Sequence, residues 1–334
     1  MKLGLGIGPL GPAGGERIIE LAQDAEALGY DTIWCPEIYG ADCFTPLAWV
    51  GAHTKKINLG TSIMQISART PASAAMHAVA IDYLSNGRLI LGIGVSGPQV
   101  VEGWYGQPYP KPLARTREWI EIFRKTIARE EPVSFDGKHY QLPLDGGTGL
   151  GKPLKLMQHP LRKHIPVYLG AEGPKNVAMS AELFDGWIPM FLAPQKMPTQ
   201  YADMMKIRKP DFEIAAAIPV VIDDDVDKAR MQIKQNVGFY VGGMGAKTFN
   251  VHKDHVGRMG YADAAQEIQD LFMAGKRDAA FAAVPDELID EISFCGPKER
   301  VRELLPTWKD SPVTQLNIGT ADREVLRFFA EEVL

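Results

Sequence analysis

Three cysteines in 334 residues, Cys35, Cys43 and Cys295, are too few and too irregularly spaced for a disulfide framework or a cysteine-based metal site. That usage predicts a reduced, cytoplasmic protein. Histidine is also sparse, and only His252 and His255 lie close together. No recognised carboxylate pattern accompanies them, so structural or solvated roles are expected rather than zinc ligation. The chain lacks a run of about 18 apolar residues that would span a membrane. Its opening, MKLGLGIGPLG, is not built like a secretory leader. Basic residues do not dominate: 36 Lys+Arg face 41 Asp+Glu, a net charge of -5. Nucleic acid and anionic membranes both attract basic faces, so neither is expected as a partner. No Ser-His-Asp order and no nucleophile elbow occurs. A small-molecule substrate as partner is not excluded by any of this, and a homodimer stays open.

What is present is an alternation. Apolar runs at Leu3–Ile7, Thr32–Cys35, Ile57–Ile63, Leu89–Gly94, Pro166–Leu169, Gly186–Met190, Ile214–Val221 and Thr314–Ile318 read as eight strands covered on both faces. Amphipathic helical patterns separate them. Ile18, Leu21, Ala22, Ala25 and Leu28 share one face, and Gly29 ends that pattern. Further helices are expected from about Thr70–Pro71, from Ala114 to Arg129, and from Ala321 to Leu334. Strands alternating with helices imply parallel βαβ units. Eight units favour an α/β fold of the (β/α)8 TIM-barrel type over residues 1–334 as one domain, with an open doubly wound sheet as the alternative. Two stretches exceed what one unit needs, around 132–165 and 222–312. The first contains a hairpin signal at Asp136-Gly137. Both are expected to be surface excursions or active-site covers.

Two segments spell G-x-G-x-x-G: Gly6, Gly8, Gly11 and Gly92, Gly94, Gly97. Each follows a strand, but Pro9 and Pro12 follow the first and Pro98 the second, so neither is expected to open a helix directly. Tight packing of strand ends is favoured over a dinucleotide turn. Gly146, Gly151 and Lys152 approach a Walker A loop, but Pro153 stands where Ser or Thr is required. The turn Gly170, Ala171, Glu172, Gly173, Pro174, Lys175 is better placed. It joins a strand to a helix, with Gly173 at the cap and Pro174 at the first helical position. Its free amides suit an anion, and a plain βα turn is the equal alternative. Glu37 falls just past the second strand, where barrel active sites are built. It can bind a ligand, act as an acid or base, or be a solvated loop acid.

The run Leu59-Gly60-Thr61-Ser62-Ile63, followed by Ala72–Leu84, Asn86-Gly87-Arg88 and Leu91-Gly92-Ile93-Gly94, resembles the luciferase-like monooxygenase superfamily. Gly29-Tyr30-Asp31, Ala171 to Lys175 with Asp185-Gly186-Trp187, and Phe294-Cys295-Gly296-Pro297 extend the likeness in order over nearly the whole chain. Within the superfamily the F420-dependent oxidoreductases, including mycobacterial-type enzymes of unassigned substrate, are the most similar. The resemblance implies a luciferase-like barrel and an oxidoreductase that transfers a hydride between coenzyme F420, a deazaflavin, and an organic substrate. An FMN-dependent monooxygenase and a non-catalytic flavin-binding barrel are the alternatives. It places the cofactor ring near Ser62 and Ile63, flanked by Val95, Ser96 and Gly97. The phosphate would lie on Gly170 through Lys175. The Ser62–Ile63 peptide bond is expected to be cis, as in many deazaflavin relatives. Glu37 matches an acidic cofactor-binding position of the F420-dependent glucose-6-phosphate dehydrogenases. The catalytic histidine that follows in that group is Ile38 here, so the same sugar substrate is not implied and the proton donor or acceptor stays unassigned.

Overall fold

The computed structural model describes residues 1–8 and 14–334. Eight parallel strands close on themselves in chain order: β1 (Lys2–Gly6), β2 (Thr32–Cys35), β3 (Asn58–Thr61), β4 (Leu89–Gly94), β5 (Val167–Gly170), β6 (Gly186–Ile188), β7 (Glu213–Ile222) and β8 (Gln315–Gly319). Pairing of β8 with β1, Gln315 against Lys2, completes the ring. An open sheet has no such pair, so the structure is the (β/α)8 barrel.

Side-chain alternation explains the apolar runs. In β4, Leu89, Leu91 and Ile93 belong to the outer core beneath the helices, whereas Ile90 belongs to a small interior cluster with Trp34, Tyr168, Ile188 and Ala215. Each fully buried outer residue contributes about 1.5–3 kcal/mol. The interior is narrow, and one large ring takes the space of several side chains. A Cβ at Gly60 would stand 2.3 Å from the Trp34 ring, and one at Gly4 2.7 Å from its Nε1.

The surrounding helices are α1 (Gly14–Ala27), α2 (Phe44–His53), α3 (Pro71–Leu84), α4 (Pro112–Ala128) and α5 (Pro174–Leu183). Gly29 takes φ 88° just past α1, as its C-terminal position requires. Thr70 caps α3, its hydroxyl accepting from the Ser73 N–H. After β6 comes α6 (Ala202–Ile207). A group of α7 (Val226–Gly243), α8 (Val251–Val256), α9 (Ala262–Met273), α10 (Arg277–Ala282) and α11 (Asp286–Ile292) then precedes α12 (Lys298–Lys309) and the last helix, α13 (Arg323–Val333).

Topology separates the two insertions. Residues 129–166 run from the end of α4 to the start of β5, which places them at the N-terminal face of the barrel. There Arg162 Nε donates to Asp82 Oδ2 at 3.0 Å, and Arg129 Nε donates to the Leu156 carbonyl at 2.7 Å. This insertion is a surface excursion. Its hairpin pairs Phe135 with Leu142 and Asp136 with Gln141, so Asp136 lies in a strand rather than in the turn. Glu118 of α4 accepts from the Lys138, His139 and Tyr140 amides and pins a four-residue turn, 137–140, in place of the two-residue turn the Asp-Gly signal suggests. The second insertion leaves the C-terminal end of β7. Helices α7–α11 bury Ile233, Val237, Val241, Ile268 and Leu288 in a core of their own, which reaches the barrel through Phe191, Ala193 and Cys295.

The Asn86-Gly87-Arg88 motif has a structural cause. Asn86 and Gly87 take φ 58° and 82°, which turns the chain sharply after α3. Arg88 is buried, and its guanidinium donates to the carbonyls of Ser85, Ile57, Gly51 and Thr54 and to Thr54 Oγ1, at 2.7–3.1 Å. One side chain thus ties the segment entering β3 to the turn entering β4. Arg88→Met keeps the length and strands these acceptors. It is expected to lower the unfolding free energy by about 3 kcal/mol, read by urea denaturation. A loss below about 1 kcal/mol would show the network to be dispensable.

Candidate active site

Three strand ends are shaped by a single side chain. The chain leaves β3 at Thr61 and crosses toward β4, and the Ser62–Ile63 bond is cis, as expected from the resemblance. Ile63 then packs against the interior cluster. A Cβ at Gly94 would lie 2.7 Å from Ile63 Cδ1, and one at Gly170 2.9 Å from its Cγ2. A Cβ at Gly92 would strike the Thr61 carbonyl oxygen at 1.9 Å. The Thr61 hydroxyl in turn donates to the Gly92 carbonyl at 2.7 Å. Gly92 and Gly94 are therefore glycine because of close packing at strand ends. In the first G-x-G-x-x-G segment Gly8 has φ 61°, while Gly11 lies outside the described residues.

Beyond β4, Val95, Ser96 and Gly97 are half-buried, with Ser96 at φ 58°. Gly97 caps a short helix, Pro98–Gly103, and Pro98 is its first residue. This corrects the expectation that Pro98 keeps a helix from opening there. Proline at N1 needs no amide partner and starts a helix readily.

The turn after β5 has the expected form. Gly173 is the cap residue of α5 and Pro174 its first residue. Among the described residues, the amides of Glu172, Gly173 and Lys175 meet no acceptor, and nothing lies within 4 Å of a Cβ built on Gly173. Free donors beneath open space at a helix N-terminus suit an anionic group. The Glu172 carboxylate would oppose an anion there, but it is neutralised from above. His252 of α8 places Nδ1 2.8 Å from Glu172 Oε1. Burial alone would raise Glu172, yet the facing imidazolium holds it below its ordinary range. Burial alone would lower His252, yet Glu172 keeps it above its ordinary 6.5. Arg258 Nη2 also donates to the Glu172 carbonyl at 3.3 Å. His255, lowered chiefly by burial, donates Nε2–H to the Phe191 carbonyl at 3.2 Å. The two histidines therefore fasten the helical insertion to the rim of the barrel. Phe191, just past β6, holds φ 51° and packs edge-on against Tyr240.

Glu37 is placed differently from a group facing open solvent. Its side chain is 3% exposed. Oε1 accepts from Arg69 Nη1 at 2.7 Å and Oε2 from the Gln65 N–H at 2.9 Å. Gln65 Nε2 donates back to the Glu37 carbonyl at 3.0 Å. Glu37 thus grips the segment just after Ile63 from behind. Arg69, which the sequence did not single out, also lies 3.9 Å from Asp42 and sits over the Phe44 ring. Burial pushes the Cys35 thiol up to about 12 and raises Cys43 and Cys295 as well. None of the three is a thiolate nucleophile at neutral pH.

A closed eight-stranded barrel, strand-end glycines packed against Ile63 and a helical insertion tied to one rim define an insertion-bearing (β/α)8 barrel. The family model described as luciferase-like monooxygenase matches residues 5–315, and the chain belongs to that family. It is 48% identical over 341 residues to a Mycobacterium tuberculosis protein named, provisionally, a coenzyme F420-dependent oxidoreductase, covering 99% of this chain and 98% of that one. It is 28% identical to 5,10-methylenetetrahydromethanopterin reductase of Archaeoglobus fulgidus, over 96% and 94% of the two chains. The coenzyme F420-dependent tetrahydromethanopterin reductase of Methanopyrus kandleri shares the fold, with a TM-score of 0.77 at 23% identity over 99% and 98% of the two chains.

The Glu172–His252 pair has a pH signature. A lowered Glu172 contributes stability that is present above the ordinary carboxylate range and lost as pH falls through its depressed value. A raised His252 contributes stability that is present below 6.5 and lost as pH rises through its elevated value. His255, lowered chiefly by burial, acts oppositely and is itself coupled to Glu172 and His252, so the difference between wild type and variant reports the cluster of all three. His252→Gln is expected to cost about 3 kcal/mol near pH 6, with the difference shrinking as pH rises above the ordinary imidazole range. Denaturation midpoints across pH 5–9 measure this, and a pH-independent difference would show that the imidazole charge plays no part.

Proposed function

We propose that the protein is an F420-dependent oxidoreductase that moves a hydride between the deazaflavin and a small organic substrate at the C-terminal mouth of the barrel. The observation that carries this reading is the turn Gly170–Lys175, with its free amides and open space over Gly173, beside the Ile63 shelf. The 48% identical relative named for F420 supports the cofactor choice. Bound there, the deazaflavin supplies the hydride donor or acceptor. The chain's own part is to bind and orient. Glu172, Gly173 and Lys175 amides hold the phosphate, with Ala171 and Pro174 setting the turn. Ser62 and Ile63 back the ring, and Val95, Ser96 and Gly97 flank it. The raised thiols are consistent with chemistry that asks no nucleophile of the protein.

Titration of the purified chain with F420 beside FMN, followed by fluorescence or calorimetry, tests the reading. F420 is expected to bind more tightly. Gly173→Val, which fills the open space at an ordinary φ of -75°, is expected to weaken F420 by about tenfold or more with folding intact. Lys175→Ala should cost less, because the lysine adds only a point charge. Micromolar FMN affinity without F420 binding would turn the assignment to the FMN-dependent monooxygenase. Unchanged affinity in Gly173→Val would reduce the turn to a plain βα connection.

Glu37 is assigned a positioning role, since both carboxylate oxygens are taken by Gln65 and Arg69 and the effect on the cofactor passes through Ser62–Gln65. Glu37→Gln is expected to raise the F420 dissociation constant and leave turnover at saturation within about threefold, with Glu37→Asp recovering part of the affinity. A fall in turnover of roughly 10²–10⁴ at unchanged affinity would make Glu37 the acid or base instead.

A further inference from the structure

Three loops distant in sequence bring aromatic side chains together at the same face. The segment after β2 carries Ile38 and Tyr39. The stretch after the Pro98–Gly103 helix carries Trp104 and Tyr109, and the turn between α7 and α8 carries Met244 and Phe249. The Tyr39 ring lies 6.4 Å from that of Trp104, and its hydroxyl donates to Met244 Sδ at 3.7 Å. Tyr109 meets Phe249 edge-on at 5.9 Å. Yet Tyr39, Trp104 and Phe249 remain 47%, 65% and 42% exposed. Large rings gathered and left wet in this way mark a contact surface. Of the nearby acids, two are engaged away from the rings, and the third, Glu102, lies exposed beside Tyr109. Glu37 is held by Arg69 and Gln65, Asp42 accepts from the Phe44 and Thr45 amides at the start of α2, and Glu102 accepts from the Tyr109 N–H. Lys111 and Lys247 are the cations on these loops.

We propose that this aromatic collar recognises the substrate and that the substrate class is a small molecule with a flat, apolar body. The proposal rests on the reading of the mouth given above. A polyol or sugar phosphate needs several fixed polar partners to replace its lost water, because unpaired polar groups are costly to desolvate. The collar offers two tyrosine hydroxyls and one indole N–H among ring faces, which suit stacking on an apolar ring. Trp104 and Phe249 determine specificity.

Calorimetric titration of the purified chain, with and without saturating F420, tests this with 1-indanone as the flat probe and glucose 6-phosphate as the polar one. 1-Indanone is expected to bind at least tenfold more tightly than glucose 6-phosphate. Trp104→Ala and Phe249→Ala are each expected to weaken it by about tenfold, the scale of one lost aromatic contact, with Trp104→Phe recovering most of the loss and F420 affinity unchanged. Tighter binding of glucose 6-phosphate, or 1-indanone affinity unaltered in both alanine variants while F420 still binds, overturns the collar. Absence of F420 binding in the wild type overturns the cofactor reading instead. The collar then stands if 1-indanone binds the cofactor-free chain in a Trp104-dependent way, and falls if it does not.

Discussion

The side chain of Ile63 occupies space that β4 and β5 leave by carrying glycine at Gly94 and Gly170, and the architecture of the mouth follows from that steric fit. A branched side chain cannot retreat as a lysine tip would, so even one methyl on either glycine forces the shelf to move. From above, Ile63 closes the interior cluster of Trp34, Ile90, Tyr168, Ile188 and Ala215. From behind, Glu37 holds Gln65, and Arg69 holds Glu37. The shelf is thus fixed by packing on one side and by a desolvated ion pair on the other. Removing one partner of that pair costs more than the pair contributes, because it leaves a buried charge unmatched.

The two insertions do different work because of where the barrel path delivers them. A segment between a helix and the next strand lies at the face opposite the mouth, and residues 129–166 accordingly act as a strap anchored on Asp82 and Glu118. A segment between a strand and the next helix lies at the mouth. Helices α7–α11 carry their own apolar core, so they fold over the rim without borrowing side chains from the barrel interior. Polar ties join them to the neighbouring βα loops: His252 to Glu172, His255 to the Phe191 carbonyl, Arg258 to the Glu172 carbonyl, and Lys196 to Glu291 and the Met259 carbonyl.

The barrel was legible because its signals are local. Eight apolar runs mark eight strands, Gly29 marks the end of α1, and Gly173-Pro174 marks the start of α5, each from residues within one turn of the feature. The asparagine-glycine pair before Arg88 was legible as a pattern, but the acceptors it delivers Arg88 to were not. What remained hidden depends on contacts across the chain. Glu172 pairs with a histidine from the distant insertion, and the sequence shows only an H-x-x-H spacing that suggests nothing about a carboxylate in a βα turn. The inward turn of Glu37 depends on Arg69 from the other side of β3. Pro98 hides its helix in the sequence, because a proline directly after the glycines suggests that no helix opens there, whereas a short helix accepts one at its first position.

The floor and the roof of the mouth obey different physics, and this separates what each can select. The floor consists of main-chain amides at Glu172, Gly173 and Lys175 and of glycines that admit Ile63. Amides present the same donors whatever side chain they carry, so a floor of this kind suits a charge and a shape rather than a particular side chain. The roof consists of Tyr39, Trp104, Tyr109, Met244 and Phe249 on loops. Here every substitution alters both surface and polarity, and no backbone hydrogen bond depends on the ring replaced. A barrel arranged in this way can keep one cofactor while its loops are remodelled for another substrate. Floor and roof come together where His252 of α8, a few residues beyond Phe249, faces the Glu172 carboxylate of the floor.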